Sequence, residues 1–101
     1  MSFNHRKKKG LNNYLVDNDL ADDCISLHIS ELAPGKNSHE PHVHDGAESY
    51  YVFQGELSIS LGPEVLRLGQ NEAASIDSSK PHKVTNSGIA MNRYMVVIAQ
   101  P

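Results

Sequence analysis

Three side chains able to hold a metal ion fall within seven residues of one another: His42, His44 and Glu48. Imidazole nitrogen and carboxylate oxygen are donors that first-row transition metals accept. In an extended segment, residues i and i+2 project from the same face about 6.5 Å apart. His42 and His44 can therefore converge on one ion while Val43 packs behind them. Glu48 follows four residues on, across Asp45-Gly46, a dipeptide that favours a tight turn. A hairpin there folds the carboxylate back beside the imidazole pair. Two histidines in a proline-flanked loop are by themselves a weak signal; the spaced carboxylate and the bracketing Gly35 and Gly55 strengthen it. His39 does not share the parity of His42, which places it in a loop near the mouth of any site, with contact to a ligand or substrate as the alternative. Asp45 belongs to the turn and stays outside the ligand set.

The elements that must position these residues read as short strands. Cys24 to Ser30 alternates, with Ile25, Leu27 and Ile29 on one face and Cys24, Ser26, His28 and Ser30 on the other, which is the pattern of a half-buried strand. His28 lies on the smaller, more polar face and reads as a structural or surface histidine. Pro34-Gly35 ends this strand. Glu48 to Gln54 is aromatic and β-branched and closes at Gly55. Leu57 to Leu61, Val65 to Leu68, Ala73 to Ile76 and His82 to Thr85 are further strands separated by turn residues. Ile89 to Ala99 is long and apolar and reads as a central strand. Tyr14-Leu15-Val16 can form a short strand, and the cluster Asp17, Asp19, Asp22 and Asp23 reads as a solvated loop. No stretch of ten residues carries helical apolar spacing, so closely spaced strands and turns indicate an antiparallel barrel or sandwich.

The chain of 101 residues is enough for one domain. Residues 1–10 are polar and basic and read as a flexible arm, leaving 11–101 as a single β-barrel domain. Four of the nine basic residues stand in this arm, at Arg6 to Lys9, and the formal net charge of −3 argues against nucleic acid as the main partner. No apolar run approaches a membrane span, and no apolar segment follows the basic run as a signal peptide requires. The expected location is cytoplasmic. The single cysteine, Cys24, excludes an internal disulfide and reads as a small buried hydrophobe. Nucleophile-elbow, Walker A and dinucleotide-binding motifs are missing.

The stretch HVHDGAESYYVFQG, residues 42–55, resembles the first motif of the cupin family, in which an HxH pair is followed by three residues, Glu, six residues and Gly. His42, His44, Glu48 and Gly55 match, and Gly35 matches the leading glycine with one extra intervening residue. Gly69, His82 and Asn86 fit the second cupin motif. Its Pro-x-Gly turn is replaced here by Ser75-Ile76-Asp77, and the loop to His82 is two residues longer. The resemblance covers roughly residues 25–99. It implies an antiparallel double-stranded β-helix, the jelly-roll barrel, with His42, His44, Glu48 and His82 projecting inward onto one divalent transition metal: Fe, Mn, Ni, Co, Cu or Zn. By family expectation the chain is a homodimer.

Three imidazoles and one carboxylate leave an octahedral ion two open positions, which suits a chelating oxygen ligand or a substrate oxygen together with O₂. The expected function is a metal-dependent enzyme acting on a small organic molecule, an oxygenase ahead of an isomerase or lyase. The alternative is a non-catalytic module that senses a small molecule through the same pocket. Tyr50 and Val52 share the parity of Glu48, so Tyr50 is a candidate pocket residue beside His39. Arg93 is a third candidate: inside the barrel it implies an anionic ligand, and outside it is merely solvated.

Overall fold

The computed structural model describes residues 4–8, 11–15, 25–38 and 46–99, with side chains described for 26–38 and 46–99. Within these residues every regular element is a strand and every pairing is antiparallel. The strands are β1 (Asn4–Lys8), β2 (Leu11–Leu15), β3 (Ile25–Leu32), β4 (Ala47–Gln54), β5 (Leu57–Leu61), β6 (Glu64–Leu68), β7 (Ala73–Asp77), β8 (His82–Thr85) and β9 (Arg93–Ala99). Six form a sheet in the order β1-β2-β3-β9-β4-β7, and three form a second sheet in the order β6-β5-β8. The apolar strand at the C-terminal end is central, as its composition suggests, lying between β3 and β4.

The two sheets pack face to face. Tyr50, Val52, Ile76, Tyr94, Val96 and Leu32 of the larger sheet meet Leu57, Ile59, Leu68 and Val84 of the smaller one in a single core. Full burial of an aliphatic side chain contributes roughly 1.5–3 kcal/mol, so these residues are the main source of stability. Directly paired residues share a face. Rows therefore run across the larger sheet on its inner side: Ser26–Ile98–Glu48–Ile76, then His28–Val96–Tyr50–Ala74, then Ser30–Tyr94–Val52.

Two expectations change here. The basic segment read as a flexible arm contributes β1, since Asn4–Lys8 pairs residue for residue with β2. Its lack of apolar alternation hid the strand, because an edge strand draws its stability from ladder hydrogen bonds rather than from a buried face. In β3, it is the polar set that faces the barrel. Ser30 and Leu32 are fully buried, while Leu27 and Ile29 lie on the outer face and are only half-buried. Cys24 and the Asp17–Asp23 cluster lie outside the described residues.

One end of the barrel is closed by hydrogen bonds from two buried asparagines. Leu32 N–H donates to Asn92 Oδ1 (2.9 Å), and Asn92 Nδ2 donates to the Glu56 carbonyl (2.8 Å). The Leu32 carbonyl accepts from Asn92 N–H (3.1 Å) and from Asn86 Nδ2 (2.8 Å), which also donates to Ala90 O (2.8 Å). The segment 86–92, expected as the start of the last strand, is instead a turn built around these amides. Gly55 packs against it: its φ is +80°, and a Cβ at this position would lie 3.0 Å from that of Asn92. No L side chain fits such a conformation and such a contact without strain.

Asn92→Ala should lower unfolding free energy by about 2–4 kcal/mol, because it strands the buried Leu32 N–H and removes the donor to Glu56. A urea midpoint equal to that of the wild type would show that Asn92 does not hold this end of the barrel.

Candidate functional site

Glu48 and His82 arrive from opposite sheets. Glu48 follows Ala47 in β4, with Tyr50 and Val52 on the same inward face, and all three are buried. His82 opens β8 and is also buried. Face-to-face packing brings His82 Nε2 to 3.0 Å from Glu48 Oε2. Both side chains are removed from solvent, at 0% and 3% exposure, so any charge there is felt at low effective dielectric.

The turn leading to His82 is built differently from the Pro-x-Gly of the resembled motif. Ser75, Ile76 and Asp77 continue β7 as regular strand, with Ile76 paired to Glu48. The chain then reverses on Asp77, whose Oδ1 accepts from Ser79 N–H (3.0 Å) and Ser79 Oγ–H (2.6 Å). These hydrogen bonds hold the Asp77 carboxyl below its usual range. Lys80 N–H donates back to Asp77 O (3.3 Å), and Ser78 N–H to Gly46 O (3.2 Å), tying the turn to the start of β4. An aspartate-centred turn thus replaces proline and glycine in delivering the histidine.

Hydrogen bonds set the chemistry of the pair. His82 Nδ1 lies 2.9 Å from the Lys80 carbonyl, which can only accept, so Nδ1 carries the proton. In the neutral ring, Nε2 is then a lone pair directed at a carboxylate oxygen that already accepts from the Tyr50 hydroxyl. Two electron-pair donors facing each other in a buried site form a cation-binding arrangement. A backbone carbonyl on the far nitrogen is also how metal-ligating histidines are oriented.

Tyr50 is held protonated: burial first, and then the negative charge of Glu48 and its hydrogen bond, push its hydroxyl well above the usual tyrosine range. It is therefore a permanent donor to Glu48. Tyr94 stacks obliquely on Tyr50, with ring centres 6.4 Å apart. Burial likewise raises the Tyr94 hydroxyl, opposed in part by hydrogen bonds with Ser30 and Ser38.

The sequence-derived set is thus placed in part. Glu48 and His82 come together, and Tyr50 faces inward beside them. Arg93 does not join them. Its side chain is 53% exposed on the outer face and ion-paired with Glu31 (2.8 Å), because Tyr94 and Val96 take the inward parity of β9. His39, His42 and His44 lie outside the described residues, and among the described residues no group of three or more His, Cys, Asp or Glu converges. Sequence reading left open the direct Tyr50–Glu48 hydrogen bond. It missed the inward orientation of Ser26, His28 and Ser30, although their shared parity with Leu32 signals it.

The two buried tyrosines make alkaline stability testable. The unfolded chain gives up these protons near pH 10, whereas the folded state retains them to higher pH. Their contribution is fully present below about pH 10 and is lost as pH rises above it. Phenolate absorbance from Tyr50 and Tyr94 should therefore appear together with loss of the fold; titration of both within an intact fold would contradict their burial.

Comparison with known proteins agrees with this geometry. No curated protein sequence matches the chain. Among solved structures, the cupin domain of an XRE family transcriptional regulator from Enterobacter cloacae superposes with a TM-score of 0.80 at 22% identity, covering 91% of this chain and 98% of that one. An HTH_3 family transcriptional regulator from Vibrio cholerae has a TM-score of 0.78 at 17% identity, covering 91% of this chain and 52% of that one. A sugar phosphate isomerase of the cupin superfamily from Silicibacter pomeroyi has a TM-score of 0.78 at 18% identity, covering 92% and 61%. At these identities the likeness is one of fold. The sequence model described as "Cupin domain" matches residues 28–98. Spanning both motifs and eight of the chain's own inward rows' strands and turns from β3 to β9, that match makes this chain a member of the cupin family.

Proposed function

We propose that the chain binds one divalent transition metal through His42, His44, Glu48 and His82, and that it acts on a small organic molecule held at that metal. The reaction class is that of a metal-dependent dioxygenase or an isomerase/lyase. The observation that carries this reading is the buried approach of His82 Nε2 to Glu48 Oε2 at 3.0 Å, with the histidine proton fixed on the opposite nitrogen by the Lys80 carbonyl. When bound, the metal supplies Lewis acidity toward a carbonyl or enolate oxygen, or a site for O₂ activation beside a chelated substrate.

The chain's own residues would do the rest. Glu48 contributes one negative charge in a dry environment, and Tyr50 keeps its carboxylate oriented by a hydroxyl that stays protonated. Tyr94, Val52 and Val96 close the space behind them and exclude water. The net charge of −3 favours a small-molecule partner over nucleic acid. Half-buried Leu27, Ile29, Met95 and Val97 on the outer face of the larger sheet support a homodimer. Among the described residues no helix is long and apolar enough to cross a membrane.

A second reading, a small-molecule sensor without catalysis, is supported by the likeness to cupin domains of transcriptional regulators. Fold alone does not separate enzyme from sensor.

Elemental analysis of natively purified protein should find about one transition metal per chain. His42→Ala and His82→Ala should each abolish it, and unchanged metal content in either variant removes that residue from the ligand set. An Fe(II)-loaded sample given diketone, catechol or thiol substrates should consume oxygen or turn substrate over. A flat response with tight binding of one compound would favour the sensor.

A further inference from the structure

The inward face of β3 is chemically inverted. Ser26, His28 and Ser30 point into the barrel, while Leu27 and Ile29 point away from it. A core-facing strand would gain stability from the opposite arrangement. Departures of this kind concentrate where a protein binds something.

Burial along this face is graded. Ser30 and Leu32 are sealed, at 1% and 0% exposure. Ser26 and His28 retain partial exposure, as does Ile98 beside Ser26. Solvent therefore reaches the inner side of the barrel at the Ser26–His28 end and not at the asparagine-closed end. This open end is also where Glu48 and His82 lie, since Ser26 shares a row with Glu48, and His28 with Tyr50.

Distance fixes the size of what fits between. His28 and Glu48 are separated by two strand spacings and one two-residue step, which places their Cα atoms roughly 12 Å apart. Imidazole and carboxylate reach inward from the two sides, leaving a gap of a few heavy atoms. The inward residues described around it are Ile98, Val96, Ala74 and Ile76, all neutral and apolar. Against such walls, the imidazole N–H and the Ser26 hydroxyl are adjacent hydrogen-bond donors suited to a carboxylate.

We propose that Ser26 and His28 form the distal half of the ligand site and take the far carboxylate of a small hydroxy- or oxo-dicarboxylic acid whose other end lies at Glu48 and His82. The inference rests on the metal reading above and adds to it the class of ligand. His28 is a positioning and specificity residue, two strands away from the proposed metal ligands on the same inner surface.

Malate and lactate test this directly, since both present a 2-hydroxycarboxylate and only malate carries a second carboxylate. Metal content is measured first in every sample, followed by calorimetric titration with each acid. Metal-loaded wild type should bind malate about 10-fold more tightly than lactate, the worth of one charge-assisted hydrogen bond. In His28→Ala that preference should vanish, with lactate affinity and metal content unchanged. His28→Leu should lose the same preference while raising the melting temperature, because an apolar side chain suits the inward position better; this variant also covers the case in which the alanine form fails to fold. A merely structural His28 would give the reverse, lower stability with preference intact. Metal-loaded wild type that binds both acids equally overturns the dicarboxylate site and leaves the metal reading standing. Wild type that takes up no metal overturns both. Loss of metal in either His28 variant overturns the positioning role.

Discussion

A carboxylate and an imidazole buried 3.0 Å apart impose conditions on most of the barrel. Polar groups removed from water are costly unless each is satisfied, and here the satisfaction comes from several directions. The Tyr50 hydroxyl reaches Glu48 from two residues along the same strand, and the Lys80 carbonyl holds the far side of His82. The strand β4 must keep its register, because a slip of one residue would send Glu48, Tyr50 and Val52 to the outer face together. The smaller sheet must stay closely packed on the larger one, or the imidazole loses its position. The apolar core is thus the means by which two polar side chains from distant parts of the chain are held at fixed separation.

The two ends of the barrel solve different problems. At one end, Asn86 and Asn92 use side-chain amides to satisfy the backbone of Leu32, Glu56 and Ala90, and Gly55 allows the close approach. That end is sealed and rigid. At the other, inward residues of β3 remain partly exposed and polar, and the aspartate-centred turn delivers His82. Stability is concentrated where no ligand needs to enter, and hydrogen-bonding capacity where one can. The same division accounts for the inverted faces of β3, whose apolar residues are displaced to the outside of the sheet.

Local patterns were legible where one strand determines the outcome. The parity of Glu48, Tyr50 and Val52 follows from alternation alone, and the strand His82–Thr85 is bounded by proline and by an Asn-Ser-Gly turn. Gly55 could be marked as obligatory by its spacing, though its reason, contact with Asn92, lies in a residue far along the chain. The basic segment Asn4–Lys8 was not legible as strand, because pairing with β2 rather than burial stabilises it. Nor was Arg93, whose side depends on which neighbour of β9 supplies the inner face. Its partner Glu31 is 62 residues away.

By itself, the sequence determined the donor types, their spacing in the stretch from His42 to Glu48, the all-strand character and the turns. These are local quantities, set by side-chain chemistry and backbone preference over a few residues. Only the tertiary structure decided that Glu48 meets His82, that Tyr50 spends its hydroxyl on that carboxylate, that Arg93 stands outside and that Ser26 and His28 stand inside. Each of these depends on which strand lies beside which and which face turns inward. Alternation establishes that a strand has two faces; only packing against a second sheet establishes which of them is the interior.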